Sequence, residues 1–129
     1  MTGDLVHSYS RRQAIADGVL VDVTEHAGPA GMLGGFAVPV AVTAALCAAI
    51  EAIPDSLVGI VDVRGRLHDV LWMAACAARR AGPSHASFAS FALRMPRRGI
   101  RKVLVQLVVA IGPGDDGEPV VTIGYPEDF

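Results

Sequence analysis

The chain has 129 residues, of which 52% are hydrophobic and 19% are charged, and its formal net charge at pH 7 is −2. This length and composition predict a single domain, residues 1–129, with a self-sufficient core, and they exclude disorder over most of the chain. Aromatic residues make up only 5%, which argues against a stacking platform for single-stranded nucleic acid, and the small net charge excludes a DNA mimic.

The start of the chain carries charged residues without an uninterrupted apolar core, so the sequence predicts no secretory signal. The longest weakly polar run, Phe36 to Ile50, contains Pro39 and is shorter than the roughly 20 residues that a membrane-spanning helix needs. We therefore expect a cytoplasmic protein. Residues 1–8 are expected to be poorly ordered.

The first ordered element is predicted to be a short helix from Arg11 to Asp17, because Ser10 and Gln13 have the spacing of a capping box. Gly18 suits the left-handed position that ends a helix, and Val19 to Val23 then predicts a strand. The charges of this helix oppose its dipole, which favours ion pairs with the rest of the fold over the alternative of a functional surface.

The middle of the chain predicts a glycine-rich loop and two helices. The loop, Ala27 to Gly35, lacks the spacing of a nucleotide-binding motif. Apolar residues at helical spacing predict a helix that begins at Pro39 or at Thr43 and ends at Ala52. Val58 to Val63 predicts a short strand, and Arg66 to Arg80 predicts the second helix, with one apolar face.

The C-terminal part predicts three strands. Ser87 to Met95 alternates as a strand does, and Val103 to Ile111 contains only one polar residue, Gln106, which is typical of a strand covered on both faces. The glycine- and proline-rich residues 112–119 predict a hairpin with Val120 to Ile123. The order of elements predicts an α+β domain in which an antiparallel sheet of about four strands ends in this hairpin and carries two or three helices on one face.

The residue types that carry most enzyme chemistry are scattered. Cys47 and Cys76 are isolated, which favours free thiols over a disulfide or a reactive pair. His68 and Asp69 are adjacent, but neighbours on a helix diverge by about 100° and form no dyad by adjacency alone. The turn from Asp115 to Glu118 lacks the spacing of a calcium loop, so a solvated turn is favoured over a cation site. The sequence therefore predicts no catalytic residue, metal or cofactor, and an enzyme is the least supported class.

Two stretches are candidate binding surfaces. The more suggestive is the basic segment between the second- and third-last predicted strands, whose charged residues are Arg94, Arg97, Arg98, Arg101 and Lys102. These side chains could contact phosphates or an acidic protein surface, remain solvated, or pair with the acidic turn of the same molecule. The second candidate is Trp72 with Met73, on the less polar outer side of a helix, where aromatic side chains often anchor interfaces. The alternative for this pair is that the helix is covered on two sides.

Three stretches of the chain carry a resemblance to a known family: Tyr9 to Thr24, Arg66 to Ala74 and Gly112 to Ile123. Together they resemble a family of small uncharacterised proteins encoded on bacterial plasmids, integrative elements and phages. The resemblance implies an accessory protein of a mobile element, with no catalytic residues to transfer. Ala27 to Gly35 departs from the family's usual course, and His68 stands where an aromatic residue is expected.

Two classes of function follow from these observations. The first is a non-catalytic accessory protein that binds a host protein or protein complex, in an anti-defence role (anti-CRISPR or anti-restriction) or in plasmid maintenance. The second is a nucleic-acid-binding accessory protein that uses the basic segment Arg94 to Lys102, and whose binding would fall steeply with salt.

Overall fold

The computed structural model describes residues 9–27, 38–52, 63–81, 88–96 and 102–129. It shows one small α+β domain, which confirms the predicted class. The helices are α1 (Arg11–Ala16), α2 (Thr24–Ala27), α3 (Ala44–Glu51) and α4 (Val63–Ala81), followed at the C-terminus by a 3-10 turn (Pro126–Asp128). The strands are β1 (Leu20–Asp22), β2 (Val40–Thr43), β3 (Phe88–Pro96), β4 (Lys102–Pro113) and β5 (Pro119–Gly124).

The five strands form one mixed sheet in the order β1-β2-β5-β4-β3. All neighbours are antiparallel except β2 and β5, which pair in parallel with Val40 opposite Val121. The sheet therefore has one more strand than the sequence predicts, and one parallel pair. The additional strand, β2, is buried along its whole length, and a short apolar run of this kind cannot be told from a buried helical segment by periodicity alone.

The helix predicted to begin at Pro39 or Thr43 follows the second alternative. Thr43 is the N-cap of α3, because its backbone is extended and its hydroxyl accepts a hydrogen bond from the amide of Leu46 at 3.4 Å. α1 also begins as predicted, with the hydroxyl of Ser10 accepting from the amide of Gln13 at 2.9 Å. Both helix starts thus follow from hydroxyl side chains that satisfy amides which the first turn leaves free.

The main core lies between the helices and one face of the sheet, here called the helix face. Its fully buried centre is formed by side chains of β2, α3, α4, β4 and β5: Val40, Val42, Leu46, Val70, Leu71, Leu107 and Ile123. The predicted helix Arg66 to Arg80 is confirmed within α4. Val63 begins this helix, so the prediction that Val63 ends a strand is wrong, and the rest of that predicted strand lies outside the described residues.

The predicted meander of three strands at the C-terminus is confirmed. β3 pairs with β4 from Phe88, opposite Ala110, to Pro96, opposite Lys102, and β4 pairs with β5 from Val108 onwards. The amide of Gly114 donates to the carbonyl of Glu118 at 2.6 Å across the turn between β4 and β5. The long β4 is thus the axis of this half of the sheet.

The expectation that β4 is covered on both faces is wrong. Leu107 points into the main core and is 0% exposed, whereas Leu104 is 65% exposed. Successive side chains of a strand alternate between faces, and the described helices that form the main core all pack on the face of Leu107. The face on which Leu104 lies is here called the second face. The apolar composition of β4 predicted that this face is buried, but the fold covers it only in part.

The second face is covered at the end formed by β1, β2 and β5. Ala14 of α1 is buried, as are Ala41, Val108 and Val120, and none of the four belongs to the main core. The predicted disorder of residues 1–8 lies outside the described residues. So does the predicted glycine-rich loop, apart from Ala27, which is the last residue of α2.

Candidate binding surface on the second face

The second face is open along β3 and the first half of β4. Phe88 is 64% exposed and Leu104 is 65% exposed. Ser90, Arg94 and Gln106 lie on the same face and are also exposed, because residues directly opposite each other in an antiparallel pair share a face. This part of the sheet therefore presents apolar side chains next to polar and basic ones.

A groove lies where β5 stops pairing with β4. β5 accompanies β4 only from Val108 to Pro113, so the described residues provide no strand beside β4 between Lys102 and Leu107 on that side. The space has a volume of about 600 Å³. It is here called the sheet groove, and it is lined by Ala45, Leu104, Val105, Gln106, Tyr125, Pro126, Glu127 and Asp128.

One wall of the sheet groove is the C-terminal 3-10 turn, which is held by Asp128. One carboxylate oxygen of Asp128, Oδ2, accepts from the hydroxyl of Thr43 at 2.7 Å and from the amide of Tyr125 at 2.9 Å. Gly124 allows this close approach, since a Cβ there would lie 2.5 Å from Cγ2 of Thr43. The wall is thus tied to the start of α3 rather than left as a free end.

The last residue extends this wall towards the edge of the sheet. The ring of Phe129 meets the ring of Phe88 edge-to-face, with centroids 5.7 Å apart and an interplanar angle of 87°. This geometry is a favourable one for aromatic pairs. Both rings nevertheless remain about half exposed or more, so the pair adds apolar surface to the open part of the second face.

The covered end of the second face holds its own polar network around Arg11. The Arg11 guanidinium donates to the hydroxyl of Thr122 and to the carbonyl of Val121, both at 2.7 Å. Partial burial lowers the pKa of Arg11, and the nearby Asp22 opposes that shift. The hydrogen bonds from Thr24 lower the pKa of Asp22. These groups satisfy one another, so we interpret this end of the face as structural.

The acidic turn takes part in the same structural network. The Asp115 carboxylate accepts from the amides of Arg11 and Arg12 at 2.7 and 3.0 Å, and these hydrogen bonds lower its pKa. The negative charge thus lies at the positive end of the α1 dipole. Asp115 is exposed, as expected for a solvated turn, and it also caps the start of α1.

The alternative in which the basic segment pairs with the acidic turn is ruled out for Arg94. Arg94 lies opposite Leu104, and the remaining length of β4 separates it from the turn by roughly 30 Å. Arg94 is exposed on the second face, opposite Leu104. Arg97, Arg98 and Arg101 lie outside the described residues.

Arg94 is the residue of the basic segment whose side chain the structure describes, and it does not lie near Trp72 and Met73. Trp72 is 45% exposed and Met73 is half-buried against the main core, and both belong to α4, which covers the helix face. Arg94 is on the opposite side of the sheet. One ligand would therefore have to reach around an edge of the sheet to contact both.

The other residues weighed from the sequence form no reactive cluster in the described part of the chain. Nδ1 of His68 lies 3.8 Å from Oδ1 of Asp69, but both side chains are exposed. Cys47 and Cys76 are free and half-buried, and burial raises the pKa of the Cys47 thiol. Among the described residues, no three His, Cys, Asp or Glu side chains are arranged to hold a metal ion.

Sequence reasoning missed both the sheet groove and a buried arginine. Arg66 is only 6% exposed, and its guanidinium donates to the carbonyls of Ala49 and Ala52 at the end of α3 at 2.8 and 3.2 Å. Burial lowers its pKa, and its Nε has no hydrogen-bond partner among the residues that the structure describes. One signal for the groove was available: Gln106 is the only polar residue in the run Val103 to Ile111, and its side chain is exposed on the second face.

The fold and the sheet groove define an α+β domain with a partly open sheet, and no described helix is long and apolar enough to cross a membrane. The chain belongs to DUF6573, a family of unknown function whose model matches residues 1–129. No curated protein and no solved structure is significantly similar to it.

Proposed function

We propose that this protein is a non-catalytic accessory protein of a mobile genetic element, and that it acts in the cytoplasm by binding a host protein at the sheet groove. The observation that carries the proposal is the side of β4, beside the exposed Leu104, with which no strand of the described residues pairs. The three stretches that resemble plasmid, integrative-element and phage proteins support the genetic setting. An anti-defence role or a role in plasmid maintenance follows from that setting.

The proposed contact is the addition of an extended segment of the host protein next to β4. A strand edge presents amide and carbonyl groups that such a segment can pair with, and pockets for its side chains give selectivity. The space lies in line with β5, where a further strand would continue the sheet. Leu104 provides apolar contact for the side chains of such a segment.

The test is affinity capture from a host lysate with matched bait proteins. Leu104→Lys places a charge on the proposed contact, whereas Val19→Lys makes the same change at another exposed apolar position, 52% exposed, beside α1. We expect the same host protein to be retained by the wild type and by Val19→Lys and lost with Leu104→Lys, with or without nuclease. Equal retention by all three baits would contradict the proposal.

Nucleic-acid binding is the second candidate, because Arg94 is exposed beside polar side chains on the open part of the second face. The residues that follow β3 include Arg97, Arg98 and Arg101. Replacing these three by Ala should weaken binding about equally across sequences and flatten its log-log salt dependence by about one unit per lost phosphate contact. An unchanged salt dependence would remove the basic segment from consideration.

A further inference from the structure

The outer side of β3 has the properties of a pairing edge. β3 is the last strand of the sheet, and among the described residues nothing pairs with its outer side. Its register with β4 runs without a bulge from Phe88 to Pro96. Natural edge strands are usually protected from pairing by charges, prolines or bulges, whereas in β3 the charge, Arg94, and the proline, Pro96, both lie near the end of the strand.

We propose that two copies of this chain form a dimer by antiparallel pairing of β3 with β3 across a twofold axis at Phe91. This inference goes beyond the proposed function, since it concerns a different edge and a different partner. The pairing joins the two sheets into one sheet of ten strands, with both helix layers on the same side. Side chains alternate between the two faces along a strand, so each face continues across the axis only if odd-numbered residues lie opposite odd-numbered ones and even-numbered opposite even-numbered ones.

The chemistry of β3 favours this register over others of the same parity. With Phe91 at the axis, Arg94 of one copy lies opposite Phe88 of the other, on the second face where both side chains are exposed. A guanidinium over an aromatic ring is a favourable contact, and the symmetry makes it twice. A register with the axis at Arg94 would instead place Arg94 of one copy opposite Arg94 of the other, and like charges directly opposite each other destabilise a strand pair.

The first measurement is the mass of the wild-type protein by sedimentation equilibrium over about a hundredfold range of concentration. We expect a concentration-dependent species of twice the 13.4 kDa chain mass. A wild type that stays monomeric throughout this range would overturn the proposal.

A matched pair of double variants tests the register. With Phe91 at the axis, position 90 of one copy lies opposite position 92 of the other. The variant S90K/A92E puts opposite charges across the axis, whereas S90K/A92K puts like charges there. We expect their dimer dissociation constants to differ by at least about tenfold. Equal dissociation constants in two variants with wild-type circular dichroism would overturn this interface.

A double-mutant cycle at the exposed positions 88 and 94 is a further test, and it introduces no new charge into the strand. The variants F88L and R94Q should each weaken the dimer severalfold, and the double variant F88L/R94Q should weaken it less than the product of the two effects, because the two side chains contact each other across the axis. Strictly multiplicative effects would show that they do not meet, and would overturn the proposed register.

Discussion

The two faces of the sheet differ in what covers them far more than in the side chains they carry. Leu107 and Leu104 are three residues apart on the same strand, yet the first is 0% exposed and the second is 65% exposed. The helices α3 and α4 cover the face of Leu107, while α1 and the C-terminal 3-10 turn cover only one end of the opposite face. Whether a side chain of this sheet is buried is therefore decided by the helix or turn that packs on its face. An apolar strand can consequently be buried on one face and exposed on the other.

The largest expected effect is a direct test of this difference. Leu107→Ala should lower the free energy of unfolding by about 2 to 4 kcal/mol, because it leaves a cavity in the main core. Leu104→Ala is the matched control and should change stability by less than about 0.5 kcal/mol, since the side chain is mostly in solvent. Urea titration of both variants measures this. A loss below about 1 kcal/mol for Leu107→Ala would mean that the helix face is not the core.

A smaller effect is expected from the buried arginine of the helix face. Arg66→Met keeps much of the side-chain volume but removes the donors to the carbonyls of Ala49 and Ala52. We expect a loss of about 2 kcal/mol, because hydrogen bonds from a charged group are lost and the end of α3 keeps unpaired acceptors. Arg80→Met, at an exposed position of the same helix, is the control. Equal unfolding midpoints for the two variants would show that Arg66 does not hold α3 against α4.

The covered end of the second face should respond to a single added methyl group. Gly124→Ala would place a Cβ 2.5 Å from Cγ2 of Thr43 and 2.9 Å from Oδ2 of Asp128. The start of α3 and the 3-10 turn must then move apart, which should cost about 1 to 2 kcal/mol. Gly112→Ala is the control, since nothing lies within 4 Å of a Cβ there. Thermal unfolding that ranks Gly112→Ala as the more damaging change would contradict this packing.

The sequence predicts the local elements well and the contacts between distant segments poorly. The starts of α1 and α3 follow from Ser10 and Thr43, whose hydroxyls act within one helical turn. The strand β2 was missed because its burial depends on pairing with β5, which is distant in the chain. The sheet groove follows from β4 being longer than β5. The difference in length is visible in the sequence as two apolar runs of unequal length. The position of the groove, however, depends on which edge of β4 pairs with β5, and the sequence does not show that.

The smallest expected effect concerns the acidic turn that caps α1, and it depends on pH. The hydrogen bonds from the amides of Arg12 and Arg11 lower the pKa of Asp115 below its ordinary 3.8. A carboxylate with a lowered pKa in the folded state stabilises the fold above the ordinary value, and this contribution is lost as the pH falls through the lowered one. Asp115→Asn should therefore be less stable than the wild type near neutral pH, and the difference should shrink below pH 3.8 as the wild-type carboxylate takes up its proton.

Asp116→Asn removes the same charge from the same turn and controls for net charge. A stability difference between the wild type and Asp115→Asn that stays constant from about pH 7 to about pH 2 would show that Asp115 does not cap α1 as a carboxylate.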